Sequence, residues 1–400
     1  MANQLPRLVQ LLPKWLVERW FTSSAGAETQ DHGAAVPPKI MSALTQQVNA
    51  LPPPLLYEKA IQQTVREALK AWQTSPETAS NCLVILGSPV DALAQIVEDS
   101  LQDYLLDCDV NFVLSNYRRS ANALDIADHM RQELVPEAAQ KQTTPPVARS
   151  SSELHDYRPS VIVIPSLEPC FLRCIRGWQG IEYLQNRVVE DATHFWVLGC
   201  NHWAWAFLDK VCQISAYLEP TLLLPELTGE ALSQWLHPLL NREIECDDES
   251  LTVRIAADDD DDDLYWEALA KLANGSAAAA AQLWLRSLQL DANQLTDDQT
   301  VPIDAQTLDV VMAKPVLPSL SNLETLDRYL LHTLLLHGQL TRSHLALSMG
   351  ENERILRSRM QVLEREDIIQ RGGQQLAVHP AHYPRLYSEL SNNNFLIGQA

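Results

Sequence analysis

Short, uninterrupted apolar runs constrain the fold of this chain more than any other feature of its sequence. They occupy residues 82–86, 161–164, 195–199 and 222–224, and residues 110–114 form a weaker fifth run. Runs of this length without polar alternation are typical of parallel strands buried on both faces. Each run is followed by a stretch with helical spacing. The alternation predicts an α/β fold, a parallel sheet with flanking helices.

The 400 residues predict more than one domain. We expect an N-terminal amphipathic helix and linker over 1–39 and an α/β domain over 40–245. A helical lid with its connector is expected over 246–320, and a separate C-terminal domain over 321–400. Because 46% of the residues are hydrophobic, the chain can bury a substantial core.

The chain is strongly acidic, with a formal net charge of −21. Such a surface repels phosphates, which argues against non-specific coating of nucleic acid. Seven cysteines without a signal peptide indicate reduced thiols, so we expect a cytoplasmic protein. The six aspartates at 258–263 lack the turning glycine of a calcium loop and predict a solvated loop. No metal site is predicted.

The N-terminal residues 5–21 have apolar residues at helical spacing, with basic residues among them. Trp15, Trp20 and Phe21 add aromatic side chains. A basic amphipathic helix with tryptophans can lie on a membrane surface. Contact with the protein's own core or with a partner protein is the alternative that we favour.

The segment after the first apolar run lies where a phosphate-binding loop would be expected. An active loop reads G-x-x-x-x-G-K-[ST]: its glycines open the backbone to phosphates, its lysine neutralises them and its hydroxyl holds magnesium. The octapeptide here is GSPVDALA. Gly87 matches the first glycine, but Ala92, Leu93 and Ala94 replace the second glycine, the lysine and the hydroxyl residue. Asp91 adds a negative charge.

The order of elements over residues 40–290, together with this loop, resembles bacterial P-loop ATPases of the AAA+/STAND type. Active members have two acidic residues after the third strand, where this chain has Pro165 and Ser166. Asn201 stands at the tip of the sensor strand, and Arg242 stands where many relatives have an arginine. The resemblance therefore implies a P-loop NTPase-like domain with a degenerate nucleotide site. We expect no catalytic residue and no bound ATP or magnesium.

The last block of the chain reads as three helices followed by two short strands around Gly372 and Gly373. With the resemblance above, this order predicts a C-terminal winged helix. Four of its arginines stand where such a fold contacts DNA or a partner: Arg354, Arg357, Arg359 and Arg371. Because acidic residues balance the arginines, protein interaction and DNA binding both remain open.

Our leading hypothesis is a catalytically inactive pseudo-ATPase that acts as a scaffold or regulatory subunit. Its protein partner would be an active ATPase paralogue or a membrane-associated complex. Contacts would come from the N-terminal helix, the C-terminal domain and the aromatic residues Phe195, Trp196, Trp203, Trp205 and Phe207, although aromatic residues at strand and helix spacing more often belong to a core. One alternative is a DNA-binding regulator, and another is an ATPase with a non-standard nucleotide site.

Overall fold

The computed structural model describes residues 35–140, 158–240, 244–246, 251–256, 262–291, 307–320 and 322–396. The predicted N-terminal helix, with Trp15, Trp20 and Phe21, lies outside the described residues, and so do Arg242 and most of the aspartate run. No helix in the described ranges is both long and apolar enough to cross a membrane.

A parallel sheet of five strands lies at the centre of the fold. Its strands are β1 (Cys82–Gly87), β2 (Asp109–Phe112), β3 (Ser160–Ile164), β4 (His194–Asn201) and β5 (Thr221–Leu223). Their spatial order is β2-β3-β4-β1-β5, and every neighbouring pair is parallel. The α/β fold with a parallel sheet, predicted from the apolar runs, is confirmed.

Seven helices of the described region belong to the central part of the chain. They are α1 (Pro38–Asn49), α2 (Leu55–Thr74), α3 (Leu93–Leu101), α4 (Ile126–Gln140), α5 (Gln179–Glu190), α6 (His202–Cys212) and α7 (Gly229–Leu236). Successive side chains of a strand point to opposite faces of the sheet. Leu83 and Ile85 of β1 therefore pack with α1–α3, whereas Val84 packs with α4–α6. Helices thus cover both faces of the sheet.

Beyond this region lies a helical pair with a second, smaller sheet. The helices are α8 (Asp262–Ala273) and α9 (Ala277–Ser287). The strands are β6 (Ile244–Cys246), β7 (Leu251–Ala256), β8 (Leu288–Leu290) and β9 (Thr307–Met312), in the order β6-β7-β9-β8. The sequence predicts only a helical lid and a polar connector here, so the sheet is a correction. β6 and β8 have only three residues each, whereas β7 alternates apolar and polar residues, with Val253 and Ile255 buried.

The C-terminal part contains α10 (Thr325–His337), β10 (Gln339–Thr341), α11 (Arg342–Met349), α12 (Glu353–Arg365), β11 (Ile369–Gly372), β12 (Gln375–Val378) and α13 (Tyr383–Asn392). Its three strands form an antiparallel sheet in the order β10-β12-β11. Gly373, in the turn between β11 and β12, has a φ of +62°, which glycine adopts without strain. The predicted helices and hairpin are present in this region.

One continuous core joins the C-terminal part to the α4–α6 face of the central sheet. Trp203 of α6 is fully buried in it, and its ring lies 5.6 Å from His332, 6.3 Å from Tyr383 and 6.3 Å from Tyr387. Phe195 and Trp196 are buried as well. Trp196 and Trp203 therefore lie in the core that joins the two parts of the chain, and Trp205 and Phe207 are partly buried against it. Phe195 lies in the core on the other face of the sheet.

Candidate functional site

A cleft of about 1200 Å³ lies at the carboxyl ends of β1, β3 and β4. Its opposite wall consists of the end of α10, β10 and the β11–β12 hairpin. Open α/β sheets bind their ligands outside the carboxyl ends of the strands. This cleft, which contains Leu93, Ala94, Ser166 and Asn201 of the predicted degenerate site, is therefore the candidate functional site.

The loop between β1 and α3 hydrogen-bonds to itself. The Asp91 amide donates to the Ser88 carbonyl at 3.3 Å, and the Leu93 amide donates to the Asp91 carbonyl at 2.9 Å. Ala92 between them has φ −76° and ψ 59°, the conformation of an inverse γ-turn. Pro89 has no N–H group. Three positions of the loop thus offer no amide to a phosphate, although a phosphate loop binds through its amides.

Leu93 covers the end of β1. Its side chain is only 5% exposed and belongs to the same apolar core as Leu224. A Cβ atom placed on Gly87 would lie 2.9 Å from Cδ1 of Leu93. Hydrocarbon therefore contacts the first glycine of the loop, where an active loop leaves space for a phosphate. Ala94 beside it contributes no hydroxyl for magnesium.

Asp91 joins this loop to the helical pair. Its Oδ1 accepts hydrogen bonds from Oγ of Ser276 at 2.7 Å and from the Ala278 amide at 2.9 Å. These donors belong to the N-cap and first turn of α9, where a negative charge is favourable. Burial nevertheless raises the pKa of Asp91 to about 6, because the hydrogen bonds offset only part of the desolvation. Asp91 therefore binds a helix of its own chain.

The segment after β3 contains one carboxylate, and the protein uses both of its oxygens. Oε1 of Glu168 accepts from the Asn201 amide at 2.5 Å, and Oε2 accepts from the hydroxyl of Ser166. Pro165 is buried, and its carbonyl oxygen would lie 2.1 Å from a Cβ atom on Gly199. Each oxygen of this carboxylate therefore already accepts a hydrogen bond from within the chain.

Asn201 likewise bonds only within the chain. Its Oδ1 accepts from the Ala204 amide at 2.8 Å and so caps α6. Its Nδ2 donates to the carbonyl of Leu336 at 3.2 Å, in the last turn of α10. The side chain that resembles a sensor asparagine therefore connects the sheet to the C-terminal part.

Two further residues, His202 and Arg119, connect segments next to the cleft. Nδ1 of His202 donates to the Gly87 carbonyl at 2.9 Å, and burial lowers the pKa of this histidine. Arg119, after β2, donates from Nε to the Phe171 carbonyl at 2.8 Å and from Nη2 to the Glu168 carbonyl. Both contacts connect segments that are far apart in the sequence, so no local motif could identify them.

The four C-terminal arginines have different environments. Arg359 pairs with Asp327 and, at 2.8 Å, with Glu324. Arg371 pairs with Glu364 of α12. Arg354 and Arg357 are exposed on α12. Arg359 and Arg371 thus form ion pairs within the chain. Arg354 and Arg357 face solvent and form no such ion pair among the described residues.

Among the residues that the structure describes, no three or more His, Cys, Asp or Glu side chains form a group that could hold a metal ion. Few side chains of the cleft are available to bind a nucleotide, since Asp91, Glu168 and Asn201 already have hydrogen-bond partners within the chain. The arrangement can connect parts of the protein, and it presents to solvent a cleft lined by both polar and apolar residues.

No family model and no curated protein matches this chain. Among solved structures it is similar to a RuvB mutant of Thermotoga maritima, at 15% identity and a TM-score of 0.30, over 82% of this chain and 94% of that chain. The ORC2 protein of Aeropyrum pernix, in ADPNP-ADP complexes, is similar at 10% identity and a TM-score of 0.37, over 86% and 95%. Cdc6p of Pyrobaculum aerophilum is similar at 12% identity and a TM-score of 0.34, over 89% and 98%. Similarity this low does not assign the chain to the family of any of these proteins.

Proposed function

We propose that this chain is a catalytically inactive AAA+/STAND-like pseudo-ATPase that acts as a scaffold or regulatory subunit. In this proposal the central sheet is a degenerate P-loop domain, the helices α8 and α9 belong to its lid, and the C-terminal part is a winged helix. The order helix, strand, helix, helix and hairpin over residues 325–378 supports the last assignment.

One observation carries the proposal. The side chains that stand at the nucleotide-binding positions are bonded to the protein itself. Asp91 binds the start of α9, Asn201 binds the end of α10, and Leu93 covers Gly87. ATP would have to break these contacts and would find neither a lysine nor a free carboxylate for magnesium. The same contacts join the sheet, the helical pair and the C-terminal part.

A fixed arrangement of parts suits a protein that works through its surface. Ile175 is 86% exposed in the loop after β3, beside the C-terminal part. The hydroxyl of Ser348 in α11 donates to the Arg173 carbonyl of that loop at 3.1 Å. Covering an isoleucine this exposed with an apolar partner surface is favourable, because it removes apolar area from water. We propose that the partner is a protein, either an active ATPase of the same type or a membrane-associated complex, and that the location is cytoplasmic.

Affinity capture of the full chain from its native cells tests the scaffold proposal. Wild type and the control Lys70→Gln, which changes an exposed lysine of α2, should recover the same partner at a fixed ratio to the chain. Ile175→Asp should recover much less of it, because the substitution places a charge in the contact. A chain recovered alone at every salt concentration contradicts the proposal.

A DNA-binding regulator is the second candidate, because Arg354 and Arg357 are both exposed on α12. Phosphate contacts by these residues would make binding fall steeply as salt rises. Gel-shift titration of duplex DNA, with Arg354→Gln and Arg357→Gln combined, tests this candidate. No shift of duplex DNA by the wild type at low salt would exclude it.

A further inference from the structure

Three buried histidines lie where the C-terminal part of the chain packs against the rest of it. His337, at the end of α10, has its ring 4.6 Å from that of Phe171. His332 lies in the same helix, with its ring 5.6 Å from that of Trp203 in α6. His382 lies in a short turn that packs against α9. These contacts, in which each histidine is at most 5% exposed, form the C-terminal junction.

Both ring nitrogens of His337 face hydrogen-bond donors. Nε2 accepts from the Arg173 amide at 3.3 Å, and Nδ1 lies 3.5 Å from Nη2 of Arg119. A protonated histidine donates from both nitrogens, so it would place N–H groups against N–H groups on both sides. The charged and titratable groups that face this ring are Arg119, Arg173, His344 and His332. Burial and these neighbours hold the pKa of His337 well below its ordinary value, so the folded chain keeps the ring neutral.

His332 has no acceptor for a second proton either. Its Nε2 donates to the Leu396 carbonyl at 2.8 Å, whereas its Nδ1 is buried and has no hydrogen-bond partner among the described residues. Arg173 is the charged group that faces this ring. Burial and this arginine lower the pKa of His332 to about 4, although the bond to Leu396 favours the proton. A second proton on His332 would thus be unpaired and would lie near a cation.

His382 is the third ring, and neither of its nitrogens has a hydrogen-bond partner within the part of the chain that the structure describes. The charged and titratable groups that face it are Arg286 of α9, Arg385 of α13, His379 and Asp367. Only Asp367 is negative, and it already pairs with Arg286 at 3.2 Å. Burial and the positive neighbours lower the pKa of His382 to about 4. Protonation would therefore add a positive charge between α9 and the C-terminal part.

The described histidines of the central part have different surroundings. His129 and His237 are exposed to solvent, and Nδ1 of His194 lies 2.8 Å from a carboxylate oxygen. A second proton on these three rings is compatible with the fold. His202 is buried and has a lowered pKa, but it follows Asn201, whose side chain binds the C-terminal part. Buried neutral histidines therefore concentrate where the C-terminal part meets the rest of the described chain.

We propose that the C-terminal junction is an acid-sensitive contact, at which protonation of His332, His337 and His382 releases the C-terminal part while the central sheet stays folded. Because the folded chain keeps these rings neutral, their contribution to the contact is fully present above their ordinary pKa of 6.5. It is lost as the pH falls toward about 4. Release uncovers Trp203 and separates the two walls of the cleft, since one wall belongs to the C-terminal part. This device is independent of the scaffold role.

The size of the expected effect follows from the lowered pKa values of His332 and His382. A ring that titrates at about 4 in the closed junction and near 6.5 after release changes the opening equilibrium up to about 30-fold between about pH 8 and about pH 5. Two such rings together change it by up to about three orders of magnitude. A response this large is measurable in the protection of backbone amides from hydrogen exchange.

Hydrogen exchange of the full chain, followed by mass spectrometry at about pH 8 and about pH 5 and corrected for the intrinsic pH dependence of amide exchange, tests the proposal. In the wild type, protection of α10 and of residues 171–177 should fall at least about 100-fold between the two pH values, while β1 and β4 remain protected. His337→Gln combined with His382→Gln should reduce this fall at least about tenfold, because glutamine does not titrate. The control His237→Gln, which changes an exposed histidine, should show the same fall as the wild type. Each variant is compared with itself, so a loss of stability that is independent of pH cancels.

Two results would overturn this assignment. One is no loss of protection in the wild type, or an equal loss in α10, β1 and β4, since the junction would then have no acid response of its own. The other is the same fall in the double variant as in the wild type, since groups other than these histidines would then cause it. If circular dichroism shows that the double variant is unfolded at about pH 8, His382→Gln alone replaces it, because this ring has no hydrogen bond to lose among the described residues. It should reduce the fall at least about threefold, and an unchanged fall overturns the assignment. The capture experiment with Ile175→Asp is made at neutral pH, so the two proposals fail separately.

Discussion

Asp91 is the residue whose replacement gives the clearest quantitative test of the site. Its carboxyl group is enclosed between the β1–α3 loop and α9, where it accepts hydrogen bonds from Ser276 and Ala278. The pKa of Asp91 rises from 3.8 to about 6, mainly because burial penalises the charged form. The folded chain therefore holds the proton of Asp91 more tightly than the unfolded chain does.

This difference makes the free energy of unfolding depend on pH. The contribution of Asp91 is fully present below its ordinary pKa of 3.8 and is lost as pH rises through about 6. Because one pKa unit corresponds to about 1.4 kcal/mol, the charged carboxylate costs the fold about 3 kcal/mol at neutral pH. Asp91→Asn removes the charge and keeps an oxygen for both donors. We expect it to raise the free energy of unfolding by about 1–3 kcal/mol at about pH 8.

Urea denaturation followed by tryptophan fluorescence, from about pH 4 to about pH 8, measures the effect. The gain of Asp91→Asn over wild type should shrink as the pH falls and disappear near pH 4, where the wild-type carboxyl is protonated. Asp91→Ala is the matched control, because it removes the acceptor and should be less stable than Asp91→Asn at every pH. A destabilised Asp91→Asn at pH 8, or a difference independent of pH, would refute the reasoning.

Three further variants test the internal contacts. Arg359→Ala should lower the free energy of unfolding by about 2–4 kcal/mol, since it leaves the buried carboxylate of Asp327 without its ion pair. The control Arg357→Ala should change the free energy of unfolding by less than about 0.5 kcal/mol. Urea denaturation measures both values. Asn201→Ala should cost about 1–3 kcal/mol, because it removes a helix cap and an interdomain hydrogen bond, and thermal melting measures the loss. The double variant Leu93→Lys, Ala94→Thr should have a lower melting temperature, because it replaces a buried leucine. It should not bind ATP, because the loop amides remain hydrogen-bonded within the chain. Micromolar binding in a calorimetric titration with ATP and magnesium would contradict this expectation.

The central sheet could be predicted from the sequence because its strands are buried on both faces. Such strands leave uninterrupted apolar runs, and the predicted run at 161–164 differs from β3 by a single residue. The smaller sheet could not be predicted in this way. β7 and β9 have apolar residues interspersed with polar ones instead of an uninterrupted apolar run, and β8 has only three residues directly after α9.

The candidate site, too, could be predicted only in part from the sequence. That Leu93 and Ala94 replace a lysine and a hydroxyl residue can be read from the loop itself. The contacts of Asp91 and Asn201 could not be predicted from the loop, because their hydrogen-bond partners Ser276 and Leu336 are far away in the sequence. Arg119 was not identifiable either, since its environment arises only when distant segments pack together.

We propose that the chain's own contacts fill the position where a nucleotide would bind in this fold. Calorimetric titration of the full chain with ATP, with and without magnesium, tests it most directly, together with an assay of phosphate release. The account predicts no micromolar binding and no turnover above background under either condition. Micromolar, magnesium-dependent ATP binding with turnover that Asp91→Asn or Asn201→Ala abolishes would contradict it.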